Sequence, residues 1–245
     1  VTSSLRDLKV YSTYPHGCSY LEEREATTLF VDPRTPMNDG LYSQLSALGF
    51  RRSGSHLYRP NCRYCRSCIP ARVPVARFRA RRNQKRTWKR NIDVRVDEVG
   101  GIDGEEYFQL YRRYIECRHR DGDMYPPSRE QYRSFLSAEW GLTHFHRLSL
   151  GRRPVGVAVT DRLHDGLSAI YTFYDPELHG RGLGTYAVLW QIETARELGL
   201  DYLYLGYWIR ECRKMAYKIQ YRPLELFLDG QWTEFRKSGW PSGVL

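Results

Sequence analysis

The sequence predicts an α+β protein: a mixed β-sheet with helices packed on it, preceded by a smaller, cysteine-containing N-terminal region. Three observations carry that expectation. LSAIYTFY at 167–174 alternates apolar and polar-aromatic residues, the period of a half-buried strand. TYAVLWQIETAREL at 185–198 places Ala187, Leu189 or Trp190, Ile192, Ala195 and Leu198 at helical spacing and stops at Gly199. The glycine-rich DPELHGRGLG joins the two and YLYLGYWI follows, so the stretch reads as strand, turn, helix, strand.

Composition narrows the function classes. At 245 residues the chain can bury a real core as one large or two small domains. A hydrophobic content of 41% and a charged content of 27% exclude a disordered protein. No apolar run approaches the ~20 residues that span a bilayer. The opening VTSSLRDLKVY lacks the apolar core of a signal peptide, so a cytoplasmic location is expected. The net charge of +10 is concentrated: Arg51 to Arg95 holds 15 Lys/Arg against the single acid Asp93. A patch this basic, interleaved with Tyr58, Tyr64, Phe78 and Trp88, points to nucleic acid more than to a solvated helix face.

Taken in order, LKVYSTY and EATTLFVDP read as strands and LYSQLSALGF as a helix opened by Asn38-Asp39-Gly40. FRRSGSHLYRP reads as a hairpin turning at Ser53-Gly54. NCRYCRSCIPARVPV then carries Cys62, Cys65 and Cys68 at x2 spacing, from which thiolates can reach one ion. With Cys18 as a fourth ligand, or His16, they form a candidate zinc or iron–sulfur site. The competing reading is a set of reduced thiols shaping a turn. Cys117 and Cys212 stand apart and read as small core residues. RFRARRNQKRTWKRN follows, with Arg81, Arg82, Lys85, Arg86, Lys89 and Arg90 as candidate phosphate contacts; as a helix it puts residues 82, 85/86 and 89 on one face, a basic ridge.

After the strand IDVRVDEVG, Gly100-Gly101 marks the expected join between residues 1–100 and 101–245. GEEYFQLYRRYIECRHR and SREQYRSFLSAEW read as helices. LTHFHRLSL, PVGVAVTDRL and LSAIYTFY read as a three-strand meander. This order is similar to the GNAT acyltransferase fold, whose turn after the fourth strand cradles an acyl donor. That family opens its pyrophosphate signature with Arg or Gln; here the run is His179-Gly180-Arg181-Gly182-Leu183-Gly184, so the first residue departs.

PHGCSYL, CRYCRSCIPARVPV and GYWIRECRKMAYKIQYRPLEL together resemble the aminoacyl-tRNA–protein transferases, in an order and spacing that span nearly the whole chain. The compact length and the Cys-x2-Cys-x2-Cys form are most like the bacterial aspartate/glutamate leucyltransferases. The resemblance implies transfer of leucine from Leu-tRNA to the α-amine of proteins with N-terminal Asp or Glu, which marks them for degradation. Arginine is the alternative donor residue, since the arginyltransferases share the core matched by Cys212, Lys214, Met215, Tyr217 and Lys218.

An aminoacyl ester is already activated and a free α-amine titrates near pH ~8. Direct attack therefore needs no covalent nucleophile, and no cofactor is expected for the chemistry. Lys214, Tyr217, Lys218 and Tyr207 are the candidate catalytic residues. Arg72, Tyr20, Gly182 and Gly184 are the candidate substrate-binding residues, Arg72 because a guanidinium can engage a carboxylate bidentately. His16, His144, His146, Asp121 and Asp123 are further groups that could tune the site. Two rivals remain: a GNAT N-acetyltransferase using coenzyme A, and a non-catalytic RNA-binding protein.

Overall fold

A computed structural model of the chain describes Leu5 and residues 8–138 and 140–236. The first part holds β1 (Val10–Ser12), β2 (His16–Gly17), β3 (Glu25–Ala26), β4 (Thr28–Val31), α1 (Asp39–Ala47), β5 (Arg51–Ser53), β6 (His56–Pro60) and β7 (Ile69–Pro74). Then come α2 (Arg82–Arg90), β8 (Val94–Val99), α3 (Glu105–Arg118), α4 (Arg129–Leu136), β9 (Thr143–Leu150), β10 (Arg153–Arg162) and β11 (Gly166–Tyr174). The chain closes with α5 (Leu183–Glu197), β12 (Tyr202–Trp208), α6 (Arg213–Ala216), β13 (Glu225–Leu228) and β14 (Gln231–Glu234).

Local chemistry sets the helix starts. The Asn38 side chain accepts from the Leu41 N–H at 2.8 Å and opens α1, whose Leu41, Tyr42 and Leu45 are buried. Ser128 does the same for α4 through Gln131. That helix ends at Leu136, short of the expected Trp140, and Glu139 lies outside the described residues. Leu198 is exposed because the chain turns at Gly199, and Leu200 takes the buried place instead.

Eight strands form one mixed sheet in the order β14-β13-β7-β12-β11-β10-β9-β8. Alternation along β10, shifted by the irregularity between Pro154 and Gly156, divides it between two faces. Val157 and Val159 join Phe173 against Tyr111, Ile115, Tyr132 and Leu136 of α3 and α4. Val155 and Ala158 meet Leu183, Tyr186 and Ala187 of α5 on the other face. Each fully buried aliphatic side chain here contributes about 1.5–3 kcal/mol. A smaller sheet, β1-β4-β6-β5, packs with α1 around Tyr42, Leu57, Leu163 and Tyr204, so its core is continuous with the large sheet.

The sequence reading misses β7. Its Pro70 and Pro74 argue against a central strand, yet all six residues are buried between β12 and β13. The prolines fit because pairing is sparse on one side: with β13 only Arg72 and Ala71 have partners. β7 and β8 come from the first hundred residues but belong to the same sheet as β9–β14, so the sheet runs across the expected join at Gly100-Gly101.

One detail positions the site. β11 and β12 run parallel, in register only from Gly166–Tyr202 to Ser168–Tyr204. Past that point the ladder between them ends while both strands continue, to Tyr174 and Trp208, and a wedge opens. A bulge at Leu205, with Gly206 at φ +76°, turns β12 just there.

Candidate active site

Segments distant in sequence meet beside the end of β12. The Tyr207 hydroxyl donates to the Gly49 carbonyl at 2.9 Å, with the Tyr58 carbonyl at 3.2 Å. Tyr58 hydrogen-bonds in turn to Tyr20, from PHGCSYL. The Lys218 Nζ donates to the Tyr207 carbonyl at 2.6 Å and lies 3.2 Å from Met215 Sδ. Lys218 is only 4% exposed, and no carboxylate pairs with it among the described residues. Burial first, and the Arg51 guanidinium second, lower its pKa to about 7.

Arg51 is the functional candidate that the sequence reading overlooks. It is buried on β5, donates from Nη1 to the carbonyls of Phe50 at 2.7 Å and Ser46 at 3.2 Å, and leaves Nε and Nη2 without partners. The available signal was the Arg51-Arg52 doublet set between the apolar Phe50 and the Ser53-Gly54 turn. Arg52 is consumed structurally by Asp161.

The rim of the wedge is a second group. Lys214 pairs with Asp121, and both are solvent-accessible. Lys214 and burial, burial foremost, lower the pKa of His119. Tyr217 is half exposed at 45%, with the Lys218 Nζ 5.5 Å from its ring centroid. Arg118 donates to the Tyr174 hydroxyl at 3.1 Å. Tyr174 rests against Gly184, where an added Cβ would come within 3.0 Å of the ring.

The glycine-rich turn caps the wedge. Gly182 adopts φ +69°, a conformation glycine supplies without strain, and α5 begins there with no side-chain cap. The basic ridge docks onto this turn. Asn91 Nδ2 donates to the Arg181 carbonyl at 2.9 Å, Arg90 donates to the Gly180 carbonyl, and Arg181 grips Asp93 at 2.7 and 2.9 Å. Arg81, Arg82, Lys85, Arg86, Lys89 and Arg90 are all exposed, and none is ion-paired among the described residues.

Two expectations change. Arg72 is buried, bonded to Glu225 at 2.8 Å and to the Tyr204 hydroxyl at 3.3 Å, and stacked between Tyr202 and Trp232. Its guanidinium ties β13 across β7 to β12 and is already engaged, so an acceptor carboxylate would have to displace Glu225. The cysteines gather without forming a ligand set. Burial first, then Cys18, Cys62, Cys65 and Cys212, pushes the Cys68 thiol up to about 12. Arg24 sits 3.6 Å from Cys65 Sγ, and Cys62 Sγ faces the Thr27 carbonyl at 3.7 Å. Among the described residues no group of three or more His, Cys, Asp or Glu is placed to hold a metal ion. Zinc or a cluster on Cys18, Cys62, Cys65 and Cys68 does not fit this arrangement, in which a guanidinium occupies the side of one thiol. Cys117 is exposed and Cys212 opens α6 beside Cys68, so neither is an isolated core residue. His16 is exposed on β2, while His144 pairs with Glu98 at 2.8 Å and His146 packs on Trp190, near the far edge of the sheet.

Family models describing the N and C termini of arginine-tRNA-protein transferases match residues 16–86 and 106–228. The chain belongs to this family. It is therefore a transferase, as the motifs implied. Curated relatives named aspartate/glutamate leucyltransferase include one from Pseudomonas fluorescens, 56% identical over 94% of this chain and 98% of its own. Others come from Marinobacter nauticus, at 56% over 95% and 98%, and Saccharophagus degradans, at 52% over 95% and 99%. Among solved structures, L-PGS from Bacillus licheniformis matches 57% of this chain and 45% of its own at 12% identity and TM-score 0.43. The two family models meet in space at Lys218: Tyr20, Tyr58 and Cys68 come from the first, Tyr207 and Cys212 from the second. No helix of the described residues is long and apolar enough to cross a membrane.

Proposed function

We propose that this chain transfers leucine from Leu-tRNA to the α-amine of proteins beginning with Asp or Glu, in a GNAT-like wedge between β11 and β12. The observation that carries the reading is Lys218: a lysine buried beside an arginine, without an acid, next to exposed Tyr217 at the wedge. The relatives' names and near-complete coverage support leucine over arginine.

The reaction forms an amide C–N bond and breaks the ester C–O bond to the terminal ribose. The acceptor's ammonium must first lose a proton, and the departing ribose oxygen must gain one. Two buried cations without a counter-ion cannot both stay charged cheaply. Arg51 keeps its proton, so Lys218 is the group that becomes neutral, takes the acceptor's proton and passes it to the departing ribose oxygen. Uncapped N–H groups at the start of α5, beside Gly182 and Gly184, are suited to the carbonyl oxygen as it gains charge. Lys214 and Tyr217, at the rim, would meet the acceptor, with Lys214 exchanging Asp121 for an acidic side chain; the exposure of both supports this. The Tyr207 carbonyl would hold Lys218, with Tyr20 supporting Tyr207 through Tyr58. The exposed ridge of α2, fixed to the glycine-rich turn, would carry tRNA phosphates toward the wedge.

The test offers the protein labelled Leu-tRNA or Arg-tRNA with peptides beginning Asp, Glu, Lys or Ala. Label from Leu-tRNA in the Asp and Glu peptides alone is expected. Label from Arg-tRNA would move the reading to arginyl transfer, and none from either would refute it.

A further inference from the structure

A second opening lies outside the wedge. A cavity of about 400 Å³ separates the Arg24–Thr27 stretch around β3 from Arg63, Tyr64 and Cys65 of the cysteine loop. That volume falls within the ~300–1,000 Å³ typical of small-ligand sites. Its chemistry is unlike the rest of the surface. Tyr64 is 83% exposed, and the Arg63 guanidinium lies 5.2 Å from its ring centroid, covering one face and leaving the other open. Arg24 reaches over Cys65 Sγ at 3.6 Å. Among the described residues neither Arg24 nor Arg63 is ion-paired, although Glu25 is on the same wall.

A single exposed tyrosine needs no explanation. An exposed ring with one guanidinium over it, and a second guanidinium free of carboxylates across a nucleotide-sized gap, is an arrangement that can hold unpaired nucleic acid. The ring supplies a sequence-tolerant stacking face and the guanidiniums meet the phosphates. The cavity and the transfer centre lie to either side of one cysteine: Cys65 lines the cavity, and both Cys65 and Lys218 are near Cys68.

We propose that this cavity binds an unpaired nucleotide of the tRNA 3′ tail, its base on the open face of Tyr64 and its phosphate between Arg24 and Arg63. The proposal rests on the tRNA-dependent reading above and adds a site to it. An acidic acceptor peptide is the competing occupant; the open aromatic face favours a base, because a carboxylate gains nothing from the negative face of a ring.

The experiment compares two RNA hairpins that mimic a tRNA acceptor stem, one with its single-stranded 3′ tail and one blunt. They are titrated into wild-type protein and into Tyr64→Ala, Tyr64→Trp and Arg63→Gln variants. Wild type should prefer the tailed hairpin. Tyr64→Ala should weaken it roughly 5- to 150-fold, the range for losing one base–aromatic stack, leave the blunt hairpin unchanged, and be rescued by Tyr64→Trp. Arg63→Gln should weaken the tailed hairpin and flatten its salt dependence. Thermal melting of each variant checks the fold, which so exposed a side chain should not disturb. Equal affinity of Tyr64→Ala and wild type for the tailed hairpin would overturn the proposal, as would a defect confined to KM for an Asp-initiated peptide. Wild-type leucyl transfer, measured in parallel, separates the two readings. Tail binding through Tyr64 without any transfer refutes the transferase reading alone, whereas transfer with a Tyr64-independent tail refutes this site alone.

Discussion

Arg51 and Arg52 are adjacent in sequence and have opposite uses. The Arg52 Nη2 meets Asp161 Oδ1 at 2.9 Å and Thr143 at 3.0 Å, with Tyr42 bonded to the same aspartate at 2.6 Å. Every polar group in that cluster is answered. Arg52→Gln leaves Asp161 buried and uncompensated and should cost about 3–5 kcal/mol, measured by urea denaturation. Arg51 has two nitrogens unanswered and raises the cost of charging Lys218. That lysine gives a signed prediction. Its folded pKa of about 7 lies below the ~10.4 of an unfolded lysine, so between these values the unfolded chain holds the extra proton. Stability should therefore rise with pH from about 7 toward 10, and Lys218→Met should flatten the rise. A slope identical to wild type in denaturation series at pH 7, 8 and 9 would show that Lys218 is not buried as a neutral amine. The sequence singles out Lys218 by its motif, but its burial and its place beside Arg51 were not legible there, and Arg51 looks like one more cation in a basic protein.

At the scale of elements, periodic segments read well and chemically mixed ones did not. α3, α5 and the β9–β11 meander follow from spacing alone, because their apolar stripes match their periods, and the α2 ridge follows from the spacing of its cations. β7 was hidden by Pro70 and Pro74 and by its position just after the cysteines, which draw attention to metal chemistry. The β13–β14 hairpin was unread because its two short strands join through Asp229-Gly230 after an irregular polar run. Two predictions belong here. Replacing Lys85 and Lys89 with Gln should weaken tRNA binding and make its log–log salt slope shallower by roughly 1.4–1.8, about 0.7–0.9 for each phosphate that is no longer neutralised. An unchanged slope would remove α2 from the tRNA path. Gly182→Ala imposes φ +69° on an L-residue and sets a Cβ 3.4 Å from Thr87 Cγ2 of α2. It should cost about 1–2 kcal/mol by thermal melting and loosen the ridge from the turn.

At the scale of the whole molecule, chain order and spatial order are interleaved. β7 enters the large sheet between β12 and β13, and Tyr207 reaches back to Gly49 and Tyr58. Residues 1–100 alone would expose the buried strand β7 and so should not fold as a unit, while the full chain should unfold in one cooperative transition. A soluble, folded 1–100 fragment by circular dichroism would contradict this. The same interleaving brings motifs at opposite ends of the sequence together: PHGCSYL, the cysteine loop and the Tyr217-Lys218 run share one neighbourhood only after β7 is placed. The most direct test of that neighbourhood as the reacting centre is single-turnover leucyl transfer from Leu-tRNA to an Asp-initiated peptide, followed from pH 6 to 9 with wild type and Lys218→Gln. Wild type should gain rate through about pH 7 and again as the acceptor amine titrates near ~8. Lys218→Gln should be slower by roughly 10²–10⁴-fold, the usual range for losing an acid–base group, and should keep only the second rise. A variant with the wild-type rate and profile would contradict a role for Lys218 in the transfer.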